Sequence, residues 1–408
     1  MTGLGKNPWA LALLTLVVFS LMLLPIAASR GFDLSAFILA GDYFTTPGKS
    51  ATPIMVLHHS LGYDGQFFYR LALDPFSGPR TAYGIMLDSP AKRMQRIVYP
   101  LLAWLVSLGR PGFVPASLVA INLAGLGIIA AAAAWLTRQR RLAWWFPFAV
   151  LGWPGFLVAL THDTAEIVSA ALLLGALACY LSDRILAYCL LASCAALTRE
   201  TTIPALLGIF VFEAYIFATS PAQPKHPARV VLCGLVFVPF LAWWKTVGFI
   251  WQQSPQSLAG NQDLGLPFAG WFSRILANLS GIQIGAAQPA ADVPTRGFEI
   301  LVASGLLVFC ISVARQVPAT LRARSSAGLA VGWALTFALM TLLTADGPWI
   351  EALSTFRAFS ECWLVGCLLL ALRPAGEPMR RPIVLAIAIA AVEVNVVVWK
   401  WSYWLLNS

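Results

Sequence analysis

The sequence PWALALLTLVVFSLMLLPIAA, residues 8–28, contains no charged side chain. It has the length of an α-helix that crosses the hydrocarbon core of a bilayer, which takes about 20 residues. The remainder of the 408-residue chain is similar, with 59% hydrophobic and only 11% charged residues, whereas soluble domains contain about 25% charged residues. The apolar runs are continuous and do not alternate with polar residues, so we expect an all-α bundle of transmembrane helices.

We interpret residues 8–28 as an uncleaved first helix, because this apolar run is longer than that of a signal peptide. Comparable segments recur, and the sequence predicts about eleven spans in one membrane domain covering residues 1–408. The predicted spans are residues 8–28, 114–136, 142–160, 164–182, 185–197, 201–218, 229–250, 297–315, 326–344, 353–372 and 382–402.

Basic residues predict the orientation, because Lys and Arg concentrate in cytosolic loops. With Lys6 inside, RQRR (residues 138–141) is also inside, and the short outer loops hold only Arg199 and Arg357. This orientation requires residues 96–109, which are apolar but short, to form a helix on the outer surface. Two long outer loops follow, residues 29–115 and residues 251–296, and we expect the first to carry short surface helices.

Charge and cysteine usage exclude several classes of function. The formal net charge is +9, but the basic residues are scattered between apolar spans, so we expect no nucleic-acid partner. The 7 cysteines lie in apolar segments without a CxxC pair, which favours buried apolar roles. Most of the 18 acidic residues fall on the predicted outer side, several at helix mouths. Since ionisable groups at membrane depth are usually functional, we expect the chemistry on the outer face.

The first outer loop contains HHSLGYDGQFFYR, residues 58–70. We predict a short helix with Asp64 at its N-cap and an end at Asp74-Pro75. Phe67 and Leu71 would form an apolar face on the bilayer surface. Asp64 has two interpretations: it caps the helix, or it is held at the mouth of the bundle and accepts a proton from a hydroxyl group of the acceptor.

Several stretches together resemble one enzyme family. They are YDGQFFYRLA (residues 63–72), RMQRIVYPLLAWLVSLG (residues 93–109), HDTAE (residues 162–166), ALTRET (residues 196–201) and STFRAFSE (residues 354–361). Following a long first helix, they resemble the polytopic GT-C glycosyltransferases, especially bacterial members that build cell-surface glycopolymers and, more distantly, dolichyl-phosphate-mannose mannosyltransferases. The resemblance covers most of the first 210 residues, and Tyr63 stands where many relatives have Trp.

The resemblance implies a donor sugar on a polyprenyl phosphate, presented from the outer leaflet. It also implies transfer with inversion and an aspartate of the first outer loop as general base, a place occupied by Asp64. Fixed cations would stabilise the leaving phosphate. The candidate substrate-binding residues are Arg93, Arg96, Tyr99, His58, His59, Tyr69, Asp163, Glu166, Arg199, Arg357 and Glu361.

Alternatives exist for these residues. Arg93 and Arg96 share a helical face, which would serve a phosphate or anchor lipid headgroups. Arg357 either binds substrate or pairs with Glu361 one turn later. His58 and His59 tune Asp64, bind acceptor, or belong to a hydrated loop.

For the HDTAE stretch, Asp163 either caps the next span or binds a sugar hydroxyl together with Glu166. A divalent metal held by these two carboxylates is a further alternative, although no cofactor is firmly predicted. Arg199 is expected to line the cavity or to pair with another helix, because Glu200 beside it does not face it.

The sequence therefore predicts an integral membrane glycosyltransferase, in a bacterial inner membrane, with its active site facing the periplasm or exterior. Its partners would be the lipid-linked donor, a glycan or lipid acceptor, and membrane lipids. A transporter or flippase of lipid-linked saccharides is the alternative. It would need polar residues at mid-membrane depth, for which Glu393 and Asn395 are candidates. A non-catalytic assembly subunit is a third class.

Overall fold

The computed structural model describes residues 7–219, 227–253, 264–285, 287–323, 326–344, 347–372 and 399. The described chain is predominantly helical, in agreement with the predicted all-α membrane class. The helices of the first half are α1 (Pro8–Ser29), α2 (Gly65–Leu73), α3 (Pro90–Met94), α4 (Val98–Val106), α5 (Val114–Gln139), α6 (Phe146–Leu151), α7 (Pro154–Thr161), α8 (Glu166–Leu181), α9 (Ile185–Thr198) and α10 (Ile203–Thr219). Those of the second half are α11 (Pro227–Leu235), α12 (Phe237–Trp251), α13 (Ala269–Ser280), α14 (Val293–Ala314), α15 (Val317–Arg322), α16 (Ala327–Leu342), α17 (Ala352–Ala358) and α18 (Ser360–Ala371).

Five helical stretches of the described residues are long and apolar enough to cross a membrane, or six if the bent pair α17–α18 counts as one span. The number of eleven spans stays a prediction, although helices cover the first ten predicted segments. The predicted span 142–160 is broken into α6 and α7. Pro154 has no backbone N–H to donate a helical hydrogen bond, and it disfavours the helical conformation for Trp153, which is extended. The predicted span 382–402 lies outside the described residues apart from Trp399.

The core is built from helices that pack along their small residues. α8 is buried over most of its length between α5 and α9, and α1 packs against α5. α10 and α16 cross at Gly208 and Gly332, where a Cβ atom on Gly208 would lie 2.2 Å from the backbone nitrogen of Gly332. Such small-residue crossings are the usual basis of helix association in membranes, because they let two backbones approach closely.

Residues 29–115, the predicted first outer loop, contain strands that the sequence did not predict. β1 (Ala40–Gly41) pairs in parallel with β2 (Val56–Leu57), and β3 (Thr81–Ala82) pairs antiparallel with β4 (Ile85–Met86). These two-residue strands are too short to show a period-2 pattern. α4 is a nine-residue helix, too short to span, as the sequence predicts for residues 96–109, and it exposes Trp104, Leu105 and Val106.

α2 is where the sequence predicts it, but its environment differs. Phe67 and Leu71 are 3% and 0% exposed and pack in a small cluster with Leu87, so the prediction that they lie on the bilayer is wrong. An apolar helix face can pack against protein or against lipid, and the sequence does not distinguish the two. Here Leu87 of the same loop packs against it. α2 begins at Gly65, where a side chain would not fit, because a Cβ atom there would lie 2.5 Å from the backbone oxygen of His162 and 2.6 Å from that of Ile38.

Candidate active site

A cavity of about 390 Å³ opens beside the first turn of α2. Its lining contains charged and polar residues, here called the charged wall, and apolar residues, here called the apolar wall. This volume falls within the range of small-molecule sites. The polar and charged lining residues are Tyr63, Asp64, Lys92, Arg93, Arg96, Arg199, Glu200, Thr201, Ser354 and Arg357. The rest of the lining is Leu339, Met340, Leu343, Gly347, Pro348 and Ala358.

Asp64 occupies the N-cap position of α2, as the sequence predicts, but its side chain makes no capping hydrogen bond. The carboxylate instead binds two guanidinium groups, with Oδ1 2.8 Å from Nη1 of Arg93 and Oδ2 2.7 Å from Nη2 of Arg357. The capping interpretation is therefore wrong, because two charge-assisted hydrogen bonds are stronger than a backbone cap. Burial by itself raises the pKa of Asp64, but Arg93 and Arg357 outweigh burial and hold the pKa well below its ordinary value.

Arg93 is anchored by a second carboxylate, that of Asp88. Nε and Nη2 of Arg93 donate to the two oxygens of Asp88 at 2.9 and 2.7 Å, while Nη1 reaches Asp64. The guanidinium also lies over the ring of Phe67, 4.5 Å from its centroid. Asp88 is absent from the sequence-predicted site. Its position just before the helix that carries Arg93 is a signal that could have suggested it.

Arg357 bridges Asp64 and the start of α8. Its Nε donates to Oε1 of Glu166 at 2.8 Å while Nη2 holds Asp64. The alternative pairing of Arg357 with Glu361 is wrong, because Glu361 lies 2.9 Å from Nη1 of Arg199. Arg199 also approaches Oε1 of Glu166 at 3.6 Å.

These contacts form one continuous series of ion pairs, in which acidic and basic side chains alternate. We refer to it as the ion-pair chain: Asp88, Arg93, Asp64, Arg357, Glu166, Arg199 and Glu361. It joins α2, α3, α8, α17 and α18, and it passes along the charged wall of the cavity. Six of its seven members are residues that the sequence proposed for the site.

Arg96 lies on the same wall but is engaged elsewhere. Its Nε donates to Oε2 of Glu200 at 2.9 Å, and Nη2 binds the other oxygen. Arg93 and Arg96 thus face different carboxylates. The prediction that they share one helical face does not hold, because α3 ends at Met94 and Arg96 lies between α3 and α4. Arg199 and Glu200 do face different partners, as their adjacency in sequence predicts.

Tyr63 lines the cavity next to Asp64, and the sequence did not assign it a role. Its ring lies 4.6 Å from that of His162 and 5.0 Å from the guanidinium carbon of Arg357. Burial raises the pKa of Tyr63 to about 12, against the opposing effect of Arg357. The phenol therefore stays protonated at neutral pH and can donate a hydrogen bond.

Asp163 occupies the turn between α7 and α8 and is not a cap, because α8 begins at Glu166. Its φ is +45°, and its carboxylate is fully buried with neither oxygen bonded to a described residue. Burial raises the pKa of Asp163 well above its ordinary value. No cluster of three metal-ligating side chains occurs among the described residues, and Glu166 is engaged by Arg357.

The remaining candidates lie away from the cavity lining. Tyr99 is fully buried and its hydroxyl donates to the carbonyl of Leu118 at 3.3 Å. Tyr69 is also buried, with its hydroxyl 3.2 Å from Oγ1 of Thr52. His58 and His59 are exposed in the segment between α1 and α2. The described cavity therefore does not bring these four residues to Asp64.

Comparisons of the chain with protein-family models, with characterised proteins and with solved structures gave no match.

Proposed function

We propose that the protein is a membrane glycosyltransferase of the GT-C type, which moves a sugar from a polyprenyl phosphate to a glycan, a lipid-linked saccharide or another cell-envelope acceptor. The single observation that carries the proposal is the composition of one cavity. It combines a carboxylate, several guanidinium groups and an apolar wall of Leu339, Met340 and Leu343. A lipid phosphate that carries a sugar has the matching parts: an anion, a polar ring and an apolar chain.

In the proposed reaction, a hydroxyl oxygen of the acceptor attacks the anomeric carbon of the donor sugar. The O–H bond breaks as its proton passes to a carboxylate oxygen of Asp64, and the new C–O bond forms. The bond between the anomeric carbon and the phosphate oxygen breaks, and its electron pair leaves with the polyprenyl phosphate. Attack opposite the leaving group inverts the anomeric centre.

The guanidinium groups on the charged wall stabilise the charge that grows on the departing phosphate. Arg93 and Arg357 are 12% and 11% exposed, so their field is little screened by water. Tyr63 donates a hydrogen bond to an oxygen of either substrate. We place this site on the outer face of a bacterial inner membrane, because the predicted topology puts the first outer loop there.

The test is sugar transfer by the purified protein in detergent, with a panel of polyprenyl-phosphate hexoses and pentoses as donors. Asp64→Asn should reduce transfer by about 10²-fold or more, the usual contribution of a general base. Asp42→Asn is the matched control, because Asp42 lies in the same outer loop and accepts hydrogen bonds from the backbone of His59 and Ser60.

Full activity in Asp64→Asn would remove the role of Asp64. A transporter requires two compartments to show activity, so transfer in detergent also separates the enzyme from a flippase.

A further inference from the structure

Asp64 is a weak base while both arginines are bound to it. Each of its carboxylate oxygens receives a hydrogen bond from a different arginine, at 2.8 Å from Arg93 and 2.7 Å from Arg357. A carboxylate held in this way has little affinity for a further proton. The general base therefore needs a step that loosens these bonds before it can act.

The two arginines are built for such a step, because each has a second carboxylate behind it. Arg93 uses two of its nitrogens on Asp88 and only Nη1 on Asp64. Arg357 uses Nε on Glu166 and Nη2 on Asp64. Either guanidinium can therefore release Asp64 and still be held at its other edge.

The position of these carboxylates relative to the cavity indicates which of them a ligand can replace. Asp64 is 21% exposed and lines the cavity, whereas Glu166 is 1% exposed and lies outside the lining. Asp88 is 27% exposed, more than Asp64, but it also lies outside the lining. An anion that enters the cavity thus meets the Asp64 ends of both arginines, because Asp64 is the one carboxylate of the three that lines it.

We propose that the phosphate of the lipid donor takes the place of Asp64 on Arg93 and Arg357, while Asp88 and Glu166 keep these arginines in position. This inference rests on the proposed function. It makes Asp88 and Glu166 positioning residues, and it couples donor binding to release of the base. Donor would bind before acceptor, because only the donor-bound protein has a carboxylate free to accept the proton.

The electrostatic surroundings of Asp64 agree with this exchange. The titratable and charged groups that face it are Arg93, Arg96, Arg357, Tyr63 and His162. Arg96 is held by Glu200 and does not bond to Asp64. Burial raises the pKa of Asp64, and the guanidinium groups of Arg93 and Arg357 are the main cause that lowers it. When these groups move to the phosphate, the pKa of Asp64 rises.

The experiment measures binding of a polyprenyl monophosphate without sugar to the purified full chain in detergent micelles. Asp64→Asn should tighten binding by about tenfold, the effect of one competing charge-assisted hydrogen bond. Asp42→Asn removes the same charge from a remote part of the loop and should leave binding unchanged. Asp88→Asn should weaken binding by about tenfold, because Arg93 loses its anchor and can turn both arms onto Asp64.

Equal or weaker binding by Asp64→Asn would overturn the exchange, as would equal tightening by Asp64→Asn and Asp42→Asn, which would indicate a general effect of net charge. Tightening by Asp88→Asn would also contradict it. If the wild-type protein does not bind polyprenyl phosphate, the proposed function fails first. Transfer by the wild type, together with unchanged phosphate binding in Asp64→Asn, would instead refute the exchange alone.

Discussion

Gly65→Ala is expected to separate catalytic geometry from folding. A Cβ atom at residue 65 would lie 2.5 Å from the backbone oxygen of His162 and 2.6 Å from that of Ile38. Ordinary contacts begin near 3.4 Å, so the backbone must move by about 0.9 Å. Neither oxygen belongs to a flexible side chain, so the shift falls on the start of α2 and on Asp64 beside it. A displacement of about 1 Å at a reacting group costs about 10²-fold in rate.

The assay is transfer by detergent-purified protein, with thermal unfolding measured in parallel. Overpacking of this kind costs about 1–3 kcal/mol of stability, so we expect a folded protein with a lower unfolding temperature and transfer reduced by about 10²-fold. Gly78→Ala is the matched control, because a Cβ atom at Gly78 in the same loop would meet no atom within 4 Å. Wild-type transfer by Gly65→Ala, or equal losses in the two variants, would refute the reasoning.

Two further predictions concern charge. Arg357→Lys should reduce transfer by about 10- to 100-fold, because one ammonium cannot hold both Asp64 and Glu166 as the guanidinium fork does. Arg80→Lys is the control, because Arg80 is an exposed arginine bonded to backbone carbonyls. Wild-type transfer by Arg357→Lys would contradict the bridging role. Asp163→Asn should unfold at a higher temperature than the wild type at pH 7 and at nearly the same temperature at pH 4. The pKa of Asp163 is raised in the folded state. The wild type therefore loses about 1.4 kcal/mol of unfolding free energy for each pH unit by which the pH rises between the unfolded and folded pKa values of Asp163. A difference in unfolding temperature between Asp163→Asn and the wild type that did not change with pH would contradict this.

The sequence predicted the helical class and most of the charged residues that line the cavity, because these predictions depend on local signals. It did not predict Lys92 or Glu200. Uninterrupted apolar runs indicate helices in a membrane, and arginines or acids at the ends of such runs stand out against them. Asp64, Glu166 and Arg357 were found in this way. They come from three distant parts of the chain, and in the structure Arg357 lies 2.7 Å from Asp64 and 2.8 Å from Glu166.

The pairing of these charges was not predictable, because it depends on how the helices pack. Arg357 and Glu361 are one turn apart, which favours a local pair, but the bend of 56° between α17 and α18 places them in different parts of the helix pair. Asp163 has the sequence context of an N-cap, yet its turn adopts φ +45° and α8 begins later. Tertiary packing outweighs a cap of about 1 kcal/mol in such cases.

The ion-pair chain makes the formation of the site and the folding of the bundle parts of one process. Each internal member is shared by two partners of opposite charge, so removal of one takes a partner from both of its neighbours in a largely buried setting. Breaking a buried pair from one side costs about 3–5 kcal/mol, much of it the penalty for the charge that remains. Asp64 is the most open of the members that line the cavity, at 21% exposed against 11–12% for its two arginines. It can therefore be relieved of its partners at the lowest cost, and an incoming anion would compensate the arginines in its place.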